Sequence, residues 1–575
     1  MSGISGNGGT VDRAAATGRG GRAARAWRAA ALLMALLVIP ALGLSGCGRG
    51  TASGSPSRTA APRTPPPVVQ VDGGRISGLD DGDVRAFLGV PYAAPPVGDL
   101  RWRPPQLVRP WTGVRTCARF GASCPQSGAT IGGGSLPTGQ SEDCLYLNVW
   151  TPARARDERL PVMVWIHGGG FITGSGSLPK HYGQNLSGRE HVVVVSFNYR
   201  LGAFGFLAHP ALSAESGRGV SGNYGLLDQM AALRWVRRNI AAFGGDPRRV
   251  TIFGQSAGGQ SVIAHLVSPL SRGLFAGAIA ESPRYQDRGV GLWSTLTLRE
   301  QEQEGEEIGD DLGVPDGPGA LAALRKVPAS RLVNATAPAK TPLPLLFVQP
   351  PQPSFQPVID GYVLPAEPWR LIEQGRWAKV PLLIGSNRDE CDMWLSGVKP
   401  QAADSVAQAS RRRVAWFTGD DWPTLAAQFP APDYGGLLPA TSRMMTVLEF
   451  NGPVRYAAEC AATQGVPSYL YYFSRVGPSD EDGAQHSAEV PYVFSSVGAG
   501  NGVPTQPADV RLSQQIAHYW ATFAATGDPN ARGLPRWPRY DPAADVLLRL
   551  DARVATAGAP YVAACEISEQ ADHRH

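Results

Sequence analysis

From about Val68 onward, short runs of β-branched and aromatic residues recur along the chain: Val162 to Ile166, Val192 to Val195, Val250 to Phe253, Val380 to Ile384 and Tyr469 to Phe473. These runs are apolar throughout rather than alternating. A strand needs that pattern only when both of its faces are covered, so a mostly parallel sheet buried between two layers is expected. Between the second and third runs, Leu226, Met230, Leu233, Val236 and Ile240 are spaced by three or four, the period of an amphipathic helix. Asp228 and the group Arg234, Arg237 and Arg238 occupy its other positions, as in a crossover helix packed on a sheet. The stretches Arg299 to Ser354 and Lys399 to Thr441 have weaker periodicity and read as insertions over the C-terminal ends of the strands, where they would shape a substrate entrance. The fold class expected is α/β, a large mostly parallel central sheet with helices on both faces.

The first residues do not continue this pattern. Arg19, Arg22, Arg25 and Arg28 precede an apolar run from Ala29 to Leu44, too short for a comfortable membrane span and shaped like a signal peptide. The run ends in Leu44-Ser45-Gly46-Cys47, which resembles the bacterial lipoprotein cleavage box, in which the Cys is diacylated and becomes the new N-terminus. Ser, Thr, Ala, Arg and Pro then dominate up to Pro65-Pro66-Pro67, a composition with almost nothing to bury and suited to an extended spacer. The expected organisation is therefore a signal peptide over 1–46, a tether over 47–67 and one catalytic domain over 68–575. Anchoring through Cys47 would place that domain on the outer face of a bacterial cell membrane.

Composition adds two restrictions. With 575 residues and 43% hydrophobic content the chain can bury a large core, and no second linker divides the long C-terminal stretch. The formal charge of +5 comes from 53 basic and 48 acidic residues, and several of the basic ones precede residue 30. No basic face interleaved with aromatics is present, so a nucleic-acid partner is not indicated.

The strongest chemical signal is Val250-Thr251-Ile252-Phe253-Gly254-Gln255-Ser256-Ala257-Gly258-Gly259, a strand running into a small-residue turn around a serine. A nucleophile at a sharp strand-to-helix turn needs small neighbours two positions either side, because the backbone is strained and closely packed there. His167-Gly168-Gly169-Gly170-Phe171 follows an earlier strand and has the composition of an oxyanion hole, whose N–H donors would be Gly169, Gly170 and Ala257. Serine needs a base oriented by a carboxylate. Of nine histidines, those before Ser256, those in helical patterns and those in the C-terminal tail are set aside, which leaves His486. The acid is expected between them in the chain, after the run Val380 to Ile384, where Asp389 and Glu390 fit equally well on spacing.

Together these residues resemble the type-B carboxylesterase and cholinesterase-like family of α/β-hydrolases, here in a bacterial lipoprotein-like form. Phe243-Gly244-Gly245 through Gly258 is similar to the family's nucleophile signature, and Glu142-Asp143-Cys144-Leu145-Tyr146-Leu147-Asn148-Val149-Trp150-Thr151-Pro152 to its second signature. Asn198-Tyr199-Arg200-Leu201-Gly202 and Thr526-Gly527-Asp528-Pro529-Asn530 are further family-like stretches, and the likeness runs from roughly Val68 to Asp551. The resemblance implies an α/β-hydrolase fold and selects Glu390 as the acid. It places His486 as the base, before Glu489-Val490-Pro491-Tyr492. It also implies acyl transfer from a small-molecule carboxylic ester through Ser256, with no metal or cofactor, and a Cys124–Cys144 bridge. Cys117, Cys391, Cys460 and Cys565 remain, with three pairings open or none.

Three departures qualify the likeness. Gln255 stands where many members carry Glu, and the loop between Cys124 and Cys144 lacks the aromatic residue that would hold a cation, so cholinesterase activity is disfavoured. Glu281-Ser282-Pro283 replaces the more usual Gln-Ser-Gly. Phe171, Trp293 and Trp394 are candidates to line an acyl pocket. The rival readings are a non-catalytic binding module on the same fold, opposed by Ser256, Glu390 and His486 together, and an interfacial lipase, opposed by insertions rich in Pro and charge.

Overall fold

The apolar runs become strands whose successive side chains enter opposite layers. In the computed structural model, which describes residues 66–127, 135–284, 296–314, 317, 319–335, 355–395, 398–477, 483–498 and 506–574, Val162, Val164 and Ile166 join one buried cluster. Met163 and Trp165 join another on the opposite face. This alternation is the pleat at work, and it explains why a two-sided strand must be apolar at every position.

The strands among the described residues are β1 (Val68–Val71), β2 (Gly74–Ser77), β3 (Leu79–Asp80), β4 (Arg85–Pro91), β5 (Val114–Thr116), β6 (Tyr146–Thr151) and β7 (Leu160–Ile166). They continue with β8 (Val193–Phe197), β9 (Gly245–Gln255), β10 (Gly277–Glu281), β11 (Leu382–Asn387), β12 (Ser468–Phe473), β13 (Val546–Leu550) and β14 (Ala555–Gly558). β1, β2 and β5 form a small separate sheet, and the others lie in the order β14-β13-β12-β11-β10-β9-β7-β8-β6-β4-β3. From β8 through β7, β9, β10, β11 and β12 to β13 every pairing is parallel. Both edges are antiparallel, so the sheet is mixed, with a parallel centre.

The helix Tyr224–Asn239 covers one face, with Leu226, Met230, Leu233 and Val236 in the cluster that contains Val162 and Val164. The helix Pro507–Thr526 covers the other through Leu512, Ile516, Trp520 and Phe523. Each fully buried side chain of this kind contributes roughly 1.5–3 kcal/mol. The expected strand at Val380 begins two residues later, at Leu382, because Pro381 has no N–H to give and only its carbonyl is used, by Ala278 N at 3.1 Å.

Asp228 does not belong to a solvated helix face. It is wholly buried and accepts from Arg200 Nε at 2.7 Å, Nη2 at 2.8 Å and backbone N at 3.1 Å. Its ion pair ties the helix to the segment that leaves β8.

Both stretches read as insertions are largely helical where described. The first contains Leu298–Asp311, Ala320–Lys326 and Ala329–Ala335, begun by a capping box between Thr297 and Glu300. The second contains Ala403–Thr418, Trp422–Ala427 and Leu437–Thr446 over its own core of Val414, Phe417, Phe429, Met444 and Met445. It continues into a π-helical turn, Val447–Asn451, where Asn451 Nδ2 donates to Ser386 Oγ at 2.8 Å. That contact brings the insertion to the C-terminal end of β11, the edge at which open α/β sheets place ligands.

Candidate active site

β9 runs directly into Ser256, whose backbone sits at φ 59°, ψ −125°, and the helix Ala257–Val267 starts at the next residue. This conformation is costly for a residue with a Cβ and persists because its surroundings fix it. Ser256 N donates to the carbonyl of Glu281 at 2.9 Å, and Gln260 N closes the first helical turn on Ser256 O at 2.8 Å. Gly258 explains the need for small neighbours. A Cβ there would lie 2.0 Å from the carbonyl oxygen of Ile166.

The glycine turn after β7 faces this elbow, since a Cβ on Gly168 would come 3.1 Å from Ser256 Cβ. Gly169 has φ 110° and a built Cβ would meet Thr173 O at 2.2 Å, so the turn accepts only glycine at that position. Among the described residues no acceptor takes the N–H of Gly169, Gly170 or Ala257. Ala257 is the first residue of its helix, where an N–H has no intrahelical partner and the helix dipole favours negative charge. His167 beside the turn is buried, stacked on Tyr199 at 4.4 Å, and burial pushes it down to about 4, which keeps the ring neutral.

His486 lies in the loop after β12, buried, with Nδ1 2.5 Å from Glu390 Oε2. Glu390 is itself wholly buried. Its Oε1 accepts from Ser282 Oγ at 2.5 Å and from Asn387 N at 2.7 Å. Asp389 points elsewhere, to Ala484 N at 2.8 Å, Arg388 Nε at 2.9 Å and Arg443. Of the two carboxylates that spacing could not separate, Glu390 therefore meets the imidazole and Asp389 braces the loop that carries it. The Nε2 of His486 is 3.1 Å from Gln255 Nε2, and Gln255 Oε1 accepts from Ser487 Oγ at 2.9 Å. An amide nitrogen can only donate, so Nε2 is the acceptor and Nδ1 carries the proton toward Glu390.

Two aromatic rings close over the imidazole. Trp394, expected near a pocket, has its ring centroid 5.0 Å from that of His486, and Phe450 lies at 5.3 Å. Phe171 is 1% exposed and packs edge-on against Phe206, as a core residue does. Trp293 and Cys47 lie outside the described residues. Cys124 and Cys144 are disulfide-bonded, whereas Cys117, Cys391, Cys460 and Cys565 are buried thiols. Sequence reasoning passed over Phe450, Asn387 and Ser282 as site residues. The departure at Glu281-Ser282-Pro283 was the one local sign of the last.

A sharp strand-to-helix turn at the end of a central parallel strand, with Glu390 and His486 brought beside it by later strands, is the arrangement of an α/β-hydrolase. The carboxylesterase family model matches residues 65–567. Fumonisin B1 esterase of Sphingopyxis macrogoltabida is 38% identical over 492 residues, 84% of this chain and 86% of the relative. Para-nitrobenzyl esterase of Bacillus subtilis (strain 168) is 36% identical over 506 residues, 86% and 96%. A solved PNB esterase structure superposes with a TM-score of 0.73 at 33% identity, covering 87% of this chain and 99% of that one. The chain belongs to the carboxylesterase family and is a carboxylic ester hydrolase.

Proposed function

We propose that the enzyme works through an acyl-enzyme on Ser256. The observation that carries this reading is the 2.5 Å contact between Glu390 and His486 Nδ1, which leaves Nε2 as the basic nitrogen beside the residue adjoining Ser256. With a substrate in place, Nε2 takes the Ser256 proton, a hydrogen bond of the kind that tightens only in the complex. Ser256 Oγ attacks the ester carbonyl, and the N–H groups of Gly169, Gly170 and Ala257 receive the developing oxyanion. His486 then gives its proton to the leaving alcohol, and water deacylates the serine by the reverse relay. Esters of small molecules are the substrate class. Relatives named fumonisin B1 esterase and para-nitrobenzyl esterase support an ester substrate.

Turnover of a graded series of chromogenic acyl esters by the wild type and Ser256→Ala tests the assignment. The expected loss in kcat is about five orders of magnitude; equal turnover by both proteins would overturn it.

Export as a lipoprotein is part of the same reading. The Arg-flanked apolar run and the box ending at Cys47 support it, and the proline-rich stretch behind Cys47 supplies the spacer. Among the described residues no helix is long and apolar enough to cross a membrane. Cys47→Ala is expected to move the enzyme from the membrane to the soluble fraction, and unchanged partition would count against acylation.

A further inference from the structure

The helix Tyr224–Asn239, which covers one face of the sheet, also walls a cavity of about 450 Å³ that is lined by none of the residues in the steps above. The short helix Pro210–Glu215, the segment 103–107 and the turn around Tyr362 supply its other sides. Its size falls within the range of small-molecule sites, roughly 300–1,000 Å³. Leu212, Tyr224 and Val363 are buried on its wall, and Leu227, Leu270 and Tyr362 are half-buried beside them. Leu107, also on the wall, is 78% exposed, which makes it part of the mouth. Such a surface suits an apolar body.

Arg103, Arg218, Arg234 and Arg238 share the wall with two carboxylates, and both carboxylates are engaged. Glu215 answers Arg103 at 2.9 Å and also Arg325, from outside the cavity, at 2.6 Å. Asp360 Oδ1 accepts from the backbone N–H groups of Tyr362 at 2.9 Å, Val363 at 2.7 Å and Leu364 at 3.0 Å, and its Oδ2 accepts from Asn223 Nδ2 at 2.9 Å. Arg238 pairs with Asp72 at 2.5 Å. Arg218 and Arg234 differ from these. Arg218 lies over the Tyr362 ring, 4.5 Å from its centroid, and the half-buried Arg234 gives Nη2 to the Leu270 carbonyl at 3.2 Å. Among the described residues neither has a carboxylate within ion-pairing distance, so two guanidinium charges face this cavity without a counterion.

A guanidinium presents two parallel N–H donors that match the two oxygens of a carboxylate. Beside an apolar wall, that charge selects a molecule with one anionic end and one apolar end. We propose that the cavity is a second binding site, for a carboxylic acid with an apolar chain, whose carboxylate meets Arg218 and Arg234 and whose chain lies along Leu212, Leu227 and Val363. The reaction class supplies such molecules, because every ester that a carboxylic ester hydrolase cleaves releases a carboxylic acid. That supply is what favours a carboxylate over other anions of similar shape.

Isothermal titration calorimetry of the full-length chain with octanoate tests the site. Wild type is expected to take up one octanoate per chain more than the double variant Arg218→Gln, Arg234→Gln. Each single variant is expected to bind that octanoate about tenfold more weakly, since it lacks one charge-assisted contact. Ester turnover is expected to be unchanged in all of them. Octanamide keeps the shape without the charge, and its isotherms with wild type and double variant are expected to coincide. Octanoate isotherms that coincide for wild type and double variant would overturn the proposal, whether the acid then binds only where esters are cleaved or not at all. Arginine-dependent uptake of octanamide would overturn it as well, because the charge would not be what is recognised. If a thermal melt shows the double variant unfolded, Arg234→Gln alone decides by the same comparison.

Discussion

Gln255 and His486 meet at 3.1 Å, the side-chain amide nitrogen of one against Nε2 of the other. The contact places a neutral donor on the nitrogen that accepts the serine proton in the relay proposed above. The amide adds no charge beside the imidazole. In members with Glu at this position, a carboxylate would instead favour the imidazolium.

Gln255→Glu is therefore expected to move the acid limb of the kcat/KM profile to higher pH by about one unit, since a nearby anion stabilises the protonated ring. Profiles of both proteins between about pH 5 and pH 9 measure it. Coincident acid limbs would show that the amide does not bear on the base.

Gly258→Ala tests the elbow without touching a reacting group. The new Cβ would sit 2.0 Å from Ile166 O, which is backbone and cannot swing aside. Separation of β7 from the helix Ala257–Val267 would follow, at a cost of about 3 kcal/mol. Urea unfolding gives the stability loss, and ester turnover is expected to fall with it as Ser256 leaves the glycine turn. A variant as stable and active as wild type would mean that the turn is looser than its geometry implies.

Much of this site was legible because its parts are local. The elbow, the glycine turn and the order of nucleophile, acid and base are each written in short segments, and the continuous apolar runs announce a sheet covered on both faces. What was illegible depends on segments far apart in the chain. Asp228 looks like a solvated helix residue from spacing alone, because its partner Arg200 is 28 positions away. Spacing alone leaves Asp389 and Glu390 equivalent, and the difference lies in Arg443 and Ala484, which claim the first, and Ser282 and His486, which claim the second. Phe450 reaches the imidazole only because a π-helical turn carries it there, and no periodicity signals such a turn.

The Arg200–Asp228 pair makes a third expectation. Asp228→Asn keeps the shape but turns one of the two acceptor oxygens into an NH2 donor facing Arg200, and it leaves the guanidinium buried without its countercharge, with side-chain exposures of only 3% and 0% for the two partners. Breaking a buried pair from one side costs about 3–5 kcal/mol. Chemical denaturation of the variant measures this, and a loss below about 1 kcal/mol would show that water reaches the pair.

Acid sensitivity supplies the last expectation. Burial pushes His167 down to about 4 and His265 down to about 3, from an ordinary value of 6.5. Both rings are neutral in the folded protein, and unfolding lets them take up protons. A histidine depressed by folding contributes stability that is complete above its unfolded value and is lost as pH falls through that value toward the folded one. Stability is therefore expected to decline from about pH 6.5 down to about pH 4 for His167 and about pH 3 for His265, by on the order of 3 and 5 kcal/mol once each ring is protonated in both states. His265 bonds Gln229 Oε1 and Ser271 Oγ, each at 2.9 Å, and stands apart from the catalytic residues, so His265→Gln isolates its share. Melting temperatures of wild type and variant across that range should converge as the pH falls, because the variant lacks one ring to protonate. Parallel curves would show that the acid loss arises elsewhere.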